Sequence, residues 1–147
     1  MICYLDTSAL IKLYIDEDGT RTVQAFAKKS KVLATSIVAY AEARAAVKRG
    51  LAEEIIYEAE YRLCMSNFKK DWKNYLIVNI DKSLIFLAGD LAEKYNLRGF
   101  DSIHLASAVA LREKLNIDIL FLCWDKKLEE AAIMEGFKTN RENNDGT

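Results

Sequence analysis

The chain has 147 residues, of which 51% are apolar, with 21 Lys+Arg against 22 Asp+Glu, one histidine and three cysteines. This fits one domain with a sizeable core; the apolar runs are too short to span a bilayer and the N-terminus lacks the basic and small-residue features of a signal peptide, so a cytoplasmic protein without membrane contact is expected. A net charge of −1 excludes the broad basic field of a general nucleic-acid binder, and a single histidine excludes histidine-rich metal sites and argues against a Ser-His-Asp hydrolase. Cys3, Cys64 and Cys123 match neither zinc-ligand spacing nor a disulfide framework, and read as reduced, buried thiols.

In chain order, residues 2–5 read as a strand and 7–15 as a helix. Asp16-Glu-Asp-Gly19 lacks the closing ligands of a calcium loop and reads as a surface turn. A helix follows from Thr20 to Lys28, then a strand over 31–35. Ser36 is positioned to cap a helix that ends at Gly50. Apolar positions 51, 52, 55, 56, 59, 63, 68 and 72 predict one long helix over 51–72. A strand over 75–80, a helix over 82–95 and a helix over 102–115 come next; the last is apolar nearly all round and therefore central. A strand over 118–124, a helix over 126–135 stopped by Gly136, and an edge strand over 137–139 complete the pattern. Residues 1–138 form the expected domain, and the polar stretch 139–147 reads as a loose tail. Strands separated by helices need crossover connections, which predicts a three-layer α/β/α domain on a mainly parallel sheet of four to five strands.

Four acids interrupt or end apolar segments: Asp6, Glu42, Asp101 and Asp125. Carboxylates are almost never buried unless paired or bound to metal. Asp6 and Asp125 each follow a predicted strand and precede a helix, where open α/β sheets bind ligands. Asp101 opens a helix, where the macrodipole favours an anion. Glu42 lies mid-helix among alanines. Two carboxylates ~5 Å apart at an effective dielectric of ~20 repel by about 3 kcal/mol. Four together would rival a domain's stability, so either some protonate or a cation binds. All-oxygen ligation suits Mg²⁺ or Mn²⁺, and the chemistry such a site supports is metal-assisted phosphodiester hydrolysis.

Taken singly, each acid has an ordinary reading as a cap, a turn residue or a solvated charge; the combination carries the inference. Thr7 and Ser8 read as capping hydroxyls that are also placed to orient Asp6. His104, three residues after Asp101, reads as a hydrogen-bonded core or rim histidine rather than a ligand. Trp72 and its stripe read as core.

The segments Tyr4-Leu-Asp6-Thr-Ser-Ala-Leu10, Ser36-Ile-Val-Ala-Tyr-Ala-Glu42-Ala-Arg44, Leu97-Arg-Gly-Phe-Asp101-Ser-Ile-His-Leu-Ala-Ser-Ala108 and Phe121-Leu-Cys-Trp-Asp125-Lys-Lys-Leu128 together resemble the four acidic motifs of PIN-domain ribonucleases, and most nearly the single-domain VapC type of toxin. The resemblance implies an Mg²⁺- or Mn²⁺-dependent endoribonuclease of a toxin–antitoxin pair. Asp6, Glu42, Asp101 and Asp125 map onto its metal-site acids, with Asp6 and Asp101 foremost, and Ser8 or Thr7 matches the hydroxyl after the first acid. It also implies a homodimer, a cognate antitoxin that covers the site, and RNA substrates such as tRNA, rRNA or mRNA. One position departs: Cys123 stands where the fourth motif often has Thr or Ser, which weakens the expected support of Asp125. Lys12, Arg44, Lys48, Arg49, Arg98 and Lys126 are candidate phosphate contacts. Two other readings remain: a non-catalytic PIN-like module that binds RNA or protein, and a haloacid-dehalogenase-type phosphatase. The phosphatase wants a second Asp two residues after the first, where this chain has Ser8.

Overall fold

The computed structural model of the chain describes residues 1–141. Five parallel strands, β1 (Ile2–Leu5), β2 (Val32–Ser36), β3 (Leu76–Val78), β4 (Ile119–Leu122) and β5 (Lys138–Thr139), form one sheet in the order β3-β2-β1-β4-β5. The chain starts at the centre, winds outward to β3, crosses back to β4 and ends at the opposite edge. The order reverses between β2 and β4 around β1, so the carboxyl end of β1 is a topological switch point.

Alternation along the strands divides the core in two. Ile2, Tyr4, Ile119 and Phe121 face one side, together with α5 (Lys82–Tyr95), α6 (Gly99–Leu115) and α7 (Lys126–Met134). Cys3, Leu5, Leu120 and Leu122 face the other, together with α1 (Thr7–Ile11), α2 (Thr20–Lys29), α3 (Val38–Ala52) and α4 (Glu58–Trp72). The predicted three layers are therefore present. The central strands are buried on both faces, as parallel strands must be when helices cover each side. Tyr4 and Phe121 stack across β1 and β4 with centroids 5.3 Å apart, a pairing worth about 0.5–1.5 kcal/mol beyond area burial. α6 is buried at eight positions along its length, as the apolar run predicts. All three cysteines are free and buried.

Several boundaries differ from expectation. The helix over 51–72 is two helices: α3 runs on to Ala52, and α4 begins at Glu58. Gly50 is not a stop. It lies inside α3, where a Cβ would come 3.7 Å from Ile56, and its carbonyl accepts from Ile55 N and Ile56 N as the chain folds back. Ile56 is thereby buried (4% exposed), while Glu54 takes a left-handed φ of 60°. The first helix is one short turn, Thr7–Ile11, followed by turns through Tyr14. Ser36 ends β2 instead of serving as the formal cap, though its hydroxyl still accepts from Val38 N at 3.3 Å. The expected tail starts later than residue 139. Thr139 is buried in β5, and Arg141 Nε pairs with Glu129 Oε1 at 2.8 Å; the rest of that stretch lies outside the described residues. No described helix is long and apolar enough to cross a membrane.

Candidate active site

Asp6 is the first residue after β1 and the N-cap of α1. Its Oδ1 accepts from Ala9 N at 2.9 Å and from the Ser8 hydroxyl at 2.7 Å, and the residue is only 4% exposed. Asp125 has the matching place after β4, capping α7 by accepting from Leu128 N at 2.8 Å. β1 and β4 pair in parallel with Leu5 opposite Leu122, and Asp6 N donates to Leu122 O at 3.1 Å. Both acids therefore stand at the same end of neighbouring strands. Ser8 joins them: its oxygen accepts from Trp124 N at 3.1 Å while its proton goes to Asp6. Thr35 closes the floor by donating to Leu5 O at 2.7 Å.

Glu42 reaches the same place from the second turn of α3. The Thr7 hydroxyl donates to Glu42 Oε1 at 2.6 Å, and His104 Nε2 lies 2.9 Å from the same oxygen and 3.0 Å from Thr7 Oγ1. With the Thr7 proton committed to Glu42, only a protonated Nε2 satisfies both contacts. The other nitrogen, Nδ1, meets the Tyr4 hydroxyl at 2.8 Å. His104 is 2% exposed. It is the core histidine that its position on α6 predicts; that it also holds Glu42 has no local signature. The one hint is its spacing, one turn after Asp101 on α6.

Asp101 is the third residue of α6, one turn before His104, in the first turn instead of ahead of the helix. Electrostatics tie the four acids together. Burial raises the Asp6 carboxyl above its ordinary value, and Asp101 raises it further, against the opposing effects of His104 and the bonds from Ala9 and Ser8. Asp101 is also raised, by burial and then by Asp125, with Glu42 adding to it while His104 and Arg98 oppose. Burial would raise Glu42 too, but the bonds from His104 and Thr7 and the charge of His104 outweigh it, and its carboxyl is held low. Asp101 is thus the acid through which the others are coupled.

The chemistry of this donor set fits a hard divalent cation. Among the described residues no hydrogen bond reaches Asp6 Oδ2 or Glu42 Oε2, and every candidate ligand is an oxygen. The carboxylates sense one another without converging: among the described residues no three acidic, histidine or cysteine side chains are gathered closely enough to hold an ion as they stand. A cation would have to draw them together.

Beside the acids lies a cleft of about 530 Å³ lined by Glu42, Arg98, Gly99, Phe100, Asp101 and Ile103. Arg98 lines that cleft and Lys126 follows Asp125, both exposed; Arg44 is exposed too, but lies over the Tyr40 ring at 5.4 Å. Lys12 does not belong with them. It is 8% exposed, paired to Glu17 at 2.9 Å and set 5.0 Å over the Trp124 ring, so its charge is spent on the turn after α1. Cys123 supports backbone rather than the Asp125 carboxylate: its Sγ lies 3.6 Å from Asp125 O, and burial pushes its thiol well up. The hydroxyl that links β4 to the acids comes instead from Ser8.

The family model of the PIN domain matches residues 3–133. The chain belongs to the PIN-domain family. Within it the chain is of the VapC type. It is 29% identical over 139 residues to Ribonuclease VapC49 of Mycobacterium tuberculosis (strain ATCC 25618 / H37Rv), covering 92% of each chain. It is 30% identical over 131 residues to Ribonuclease VapC46 of the same strain, covering 88% of each. Among solved structures it resembles VapBC2 from Rickettsia felis bound to a promoter DNA fragment, with a TM-score of 0.60 and 15% identity over 88% of this chain and 92% of that one. It also resembles FitAcB from Neisseria gonorrhoeae, with a TM-score of 0.63 and 14% identity over 95% and 96%. These structures share the PIN fold. Membership leaves the phosphatase alternative without support, and Ser8, bonded to Asp6 and Trp124, is not the second acid that alternative needs.

Proposed function

We propose that this PIN domain is a divalent-cation-dependent endoribonuclease acting as the toxin of a toxin–antitoxin pair. The observation that carries the reading is the position of Asp6 and Asp125 after paired strands at one end of the sheet, beside a Glu42 held by Thr7 and His104; the relatives' printed name, Ribonuclease VapC, supplies the substrate class. Asp6, Asp101 and Glu42 would hold Mg²⁺ or Mn²⁺, with Asp125 completing the negative field. Such a cation, when bound, supplies a Lewis acid for the phosphodiester and lowers the pKa of a coordinated water.

The chain's own residues do the rest. Ser8 and Ala9 fix one oxygen of Asp6 and leave the other directed to the site. Thr7 and His104 do the same for Glu42, keeping its carboxylate ionised and correctly turned. Arg98 beside Asp101, and Lys126 beside Asp125, offer charge to RNA phosphates. A cytoplasmic location, a homodimer and a protein antitoxin that covers the acids complete the proposal; the VapBC2 and FitAcB neighbours support the partner.

The test is cleavage of purified total RNA with and without Mg²⁺ or Mn²⁺, using the wild-type chain, Asp6→Asn and Asp101→Asn. Cleavage should require the cation and fail in both variants. Cleavage that persists in chelator, or in both variants, would overturn the assignment.

A further inference from the structure

Phe100 has no role in holding the fold. It lies in the first turn of α6 and is 58% exposed. It packs against neither core cluster, and no described aromatic ring pairs with it. Tyr57 and Phe86 are at least as exposed, so exposure alone does not single it out; its place in the cleft that holds Glu42 and Asp101 does. Its setting names the ligand. The next residue is Asp101, the acid that couples the site; two residues before it is Arg98. Arg98 shares the cleft with Asp101, yet it makes no ion pair with any described residue. Both side chains line the cleft of about 530 Å³ that also contains Glu42 and Asp101. Gly99, between them, leaves the approach open: a Cβ there would meet nothing within 4 Å. A flat apolar face, a free guanidinium and a carboxylate cluster thus share one cleft. A nucleotide presents the same three features: a base with a π-face, a phosphate, and the bond to be hydrolysed.

We infer that Phe100 is the stacking platform for an unpaired base next to the cleaved phosphodiester, with Arg98 on the adjoining phosphate, so that the site selects single-stranded over duplex RNA. The inference rests on the ribonuclease reading and deepens it. Every base has a π-face, so a stacking contact confers strand selectivity without strict sequence choice. A duplex keeps its bases stacked internally and gives the ring nothing to cover.

The test is RNA binding in EDTA, where binding is read without cleavage. The probes are a mixed-sequence single-stranded RNA of about ten nucleotides and the same sequence as a duplex; the proteins are wild type, Phe100→Ala, Phe100→Leu and Phe100→Trp. Thermal melts serve as a folding control, and Phe100→Ala should melt with the wild type. Single-strand affinity should fall about tenfold in Phe100→Ala and Phe100→Leu, and return in Phe100→Trp, in line with the usual strength of base–aromatic stacking. Duplex affinity should not move. Unchanged single-strand binding in Phe100→Ala, equal losses for both probes, or full retention in Phe100→Leu would overturn the platform while leaving cation-dependent cleavage intact. A loss of self-association in Phe100→Ala with RNA binding unchanged would assign the ring to a second copy of the chain and likewise overturn it. If wild-type protein binds neither probe and cuts no RNA, the ribonuclease reading fails together with this one.

Discussion

His104→Leu should destabilise the protein by taking a hydrogen-bond partner from both the Tyr4 hydroxyl and Glu42. Tyr4 is fully buried, and its hydroxyl meets His104 Nδ1 at 2.8 Å, with the Ser107 side chain and the Ser36 backbone also bearing on it. Leucine fills most of the imidazole's space but offers neither nitrogen. A buried hydroxyl left without any partner costs about 1–3 kcal/mol, and the Ser107 and Ser36 contacts hold the cost here toward the lower end. Glu42 loses the Nε2–H bond as well. Its side chain is 26% exposed, so water replaces part of that bond and the added cost is about 1 kcal/mol. The expected loss is therefore toward the lower end of about 2–4 kcal/mol, a large share of a small domain's margin. Tyr4→Phe removes the hydroxyl itself. In the double variant nothing is stranded on that side, so the two losses should fall short of additivity by about 1 kcal/mol. Urea unfolding at pH 7 of wild type, both single variants and the double variant measures this directly. Strict additivity would refute the reasoning, because it would mean that the hydroxyl never depended on the histidine. The double variant should still cleave below the wild-type rate, since Glu42 keeps only the Thr7 bond.

Asp6→Asn should abolish cleavage yet stabilise the cation-free protein at pH 7. Asp6's pKa is raised in the folded state, so its ionised form opposes folding above that pKa, by about 1.4 kcal/mol per unit of elevation; Asn caps helices as well as Asp. The gain should vanish as pH falls below the unfolded value of about 3.9, and a lower melting temperature for Asp6→Asn at pH 7 would contradict it. Glu42→Gln should behave oppositely. Its pKa is lowered, so the carboxylate stabilises the fold above its unfolded value of about 4.3, and that contribution is lost as pH falls through the folded value; melts should show a smaller penalty at pH 3 than at pH 7. Gly19→Ala should lower stability and perturb tryptophan fluorescence, because a Cβ at Gly19 (φ 92°) would come 2.6–2.8 Å from the Trp124 indole; an unchanged spectrum and melt would refute it.

Much of the fold was legible because the signals were local and redundant. Short apolar runs at 2–5 and 119–122, each ending at an acid, specify buried parallel strands and mark the same sheet end twice. The misread stretch at 51–57 has no proline or glycine to punctuate it, and its apolar spacing continues unbroken. The break depends on Ile56 folding back over Gly50, a tertiary contact that makes a glycine a seat and not a stop. Lys12 was misassigned for a similar reason: nothing in the sequence tells that Glu17 and Trp124 enclose it. The four acids were readable as a set because each breaks an apolar pattern. The Tyr4–His104–Glu42 chain was not, since its members are 38 to 100 positions apart and each has an ordinary role alone. Ser8's link to Trp124 spans 116 positions and is equally silent in sequence, although the hydroxyl after Asp6 was a recognisable candidate.

The central claim is that carboxylates from β1, α3 and α6 act as one cation site. Mn²⁺ binding followed by electron paramagnetic resonance tests it most directly, on wild type, Asp6→Asn and Asp101→Asn. The account predicts a saturable Mn²⁺ site in the wild-type chain that is lost in each variant while the fold, followed by circular dichroism, is kept. Mn²⁺ binding that is absent from the wild type, or undiminished in both variants, would contradict it.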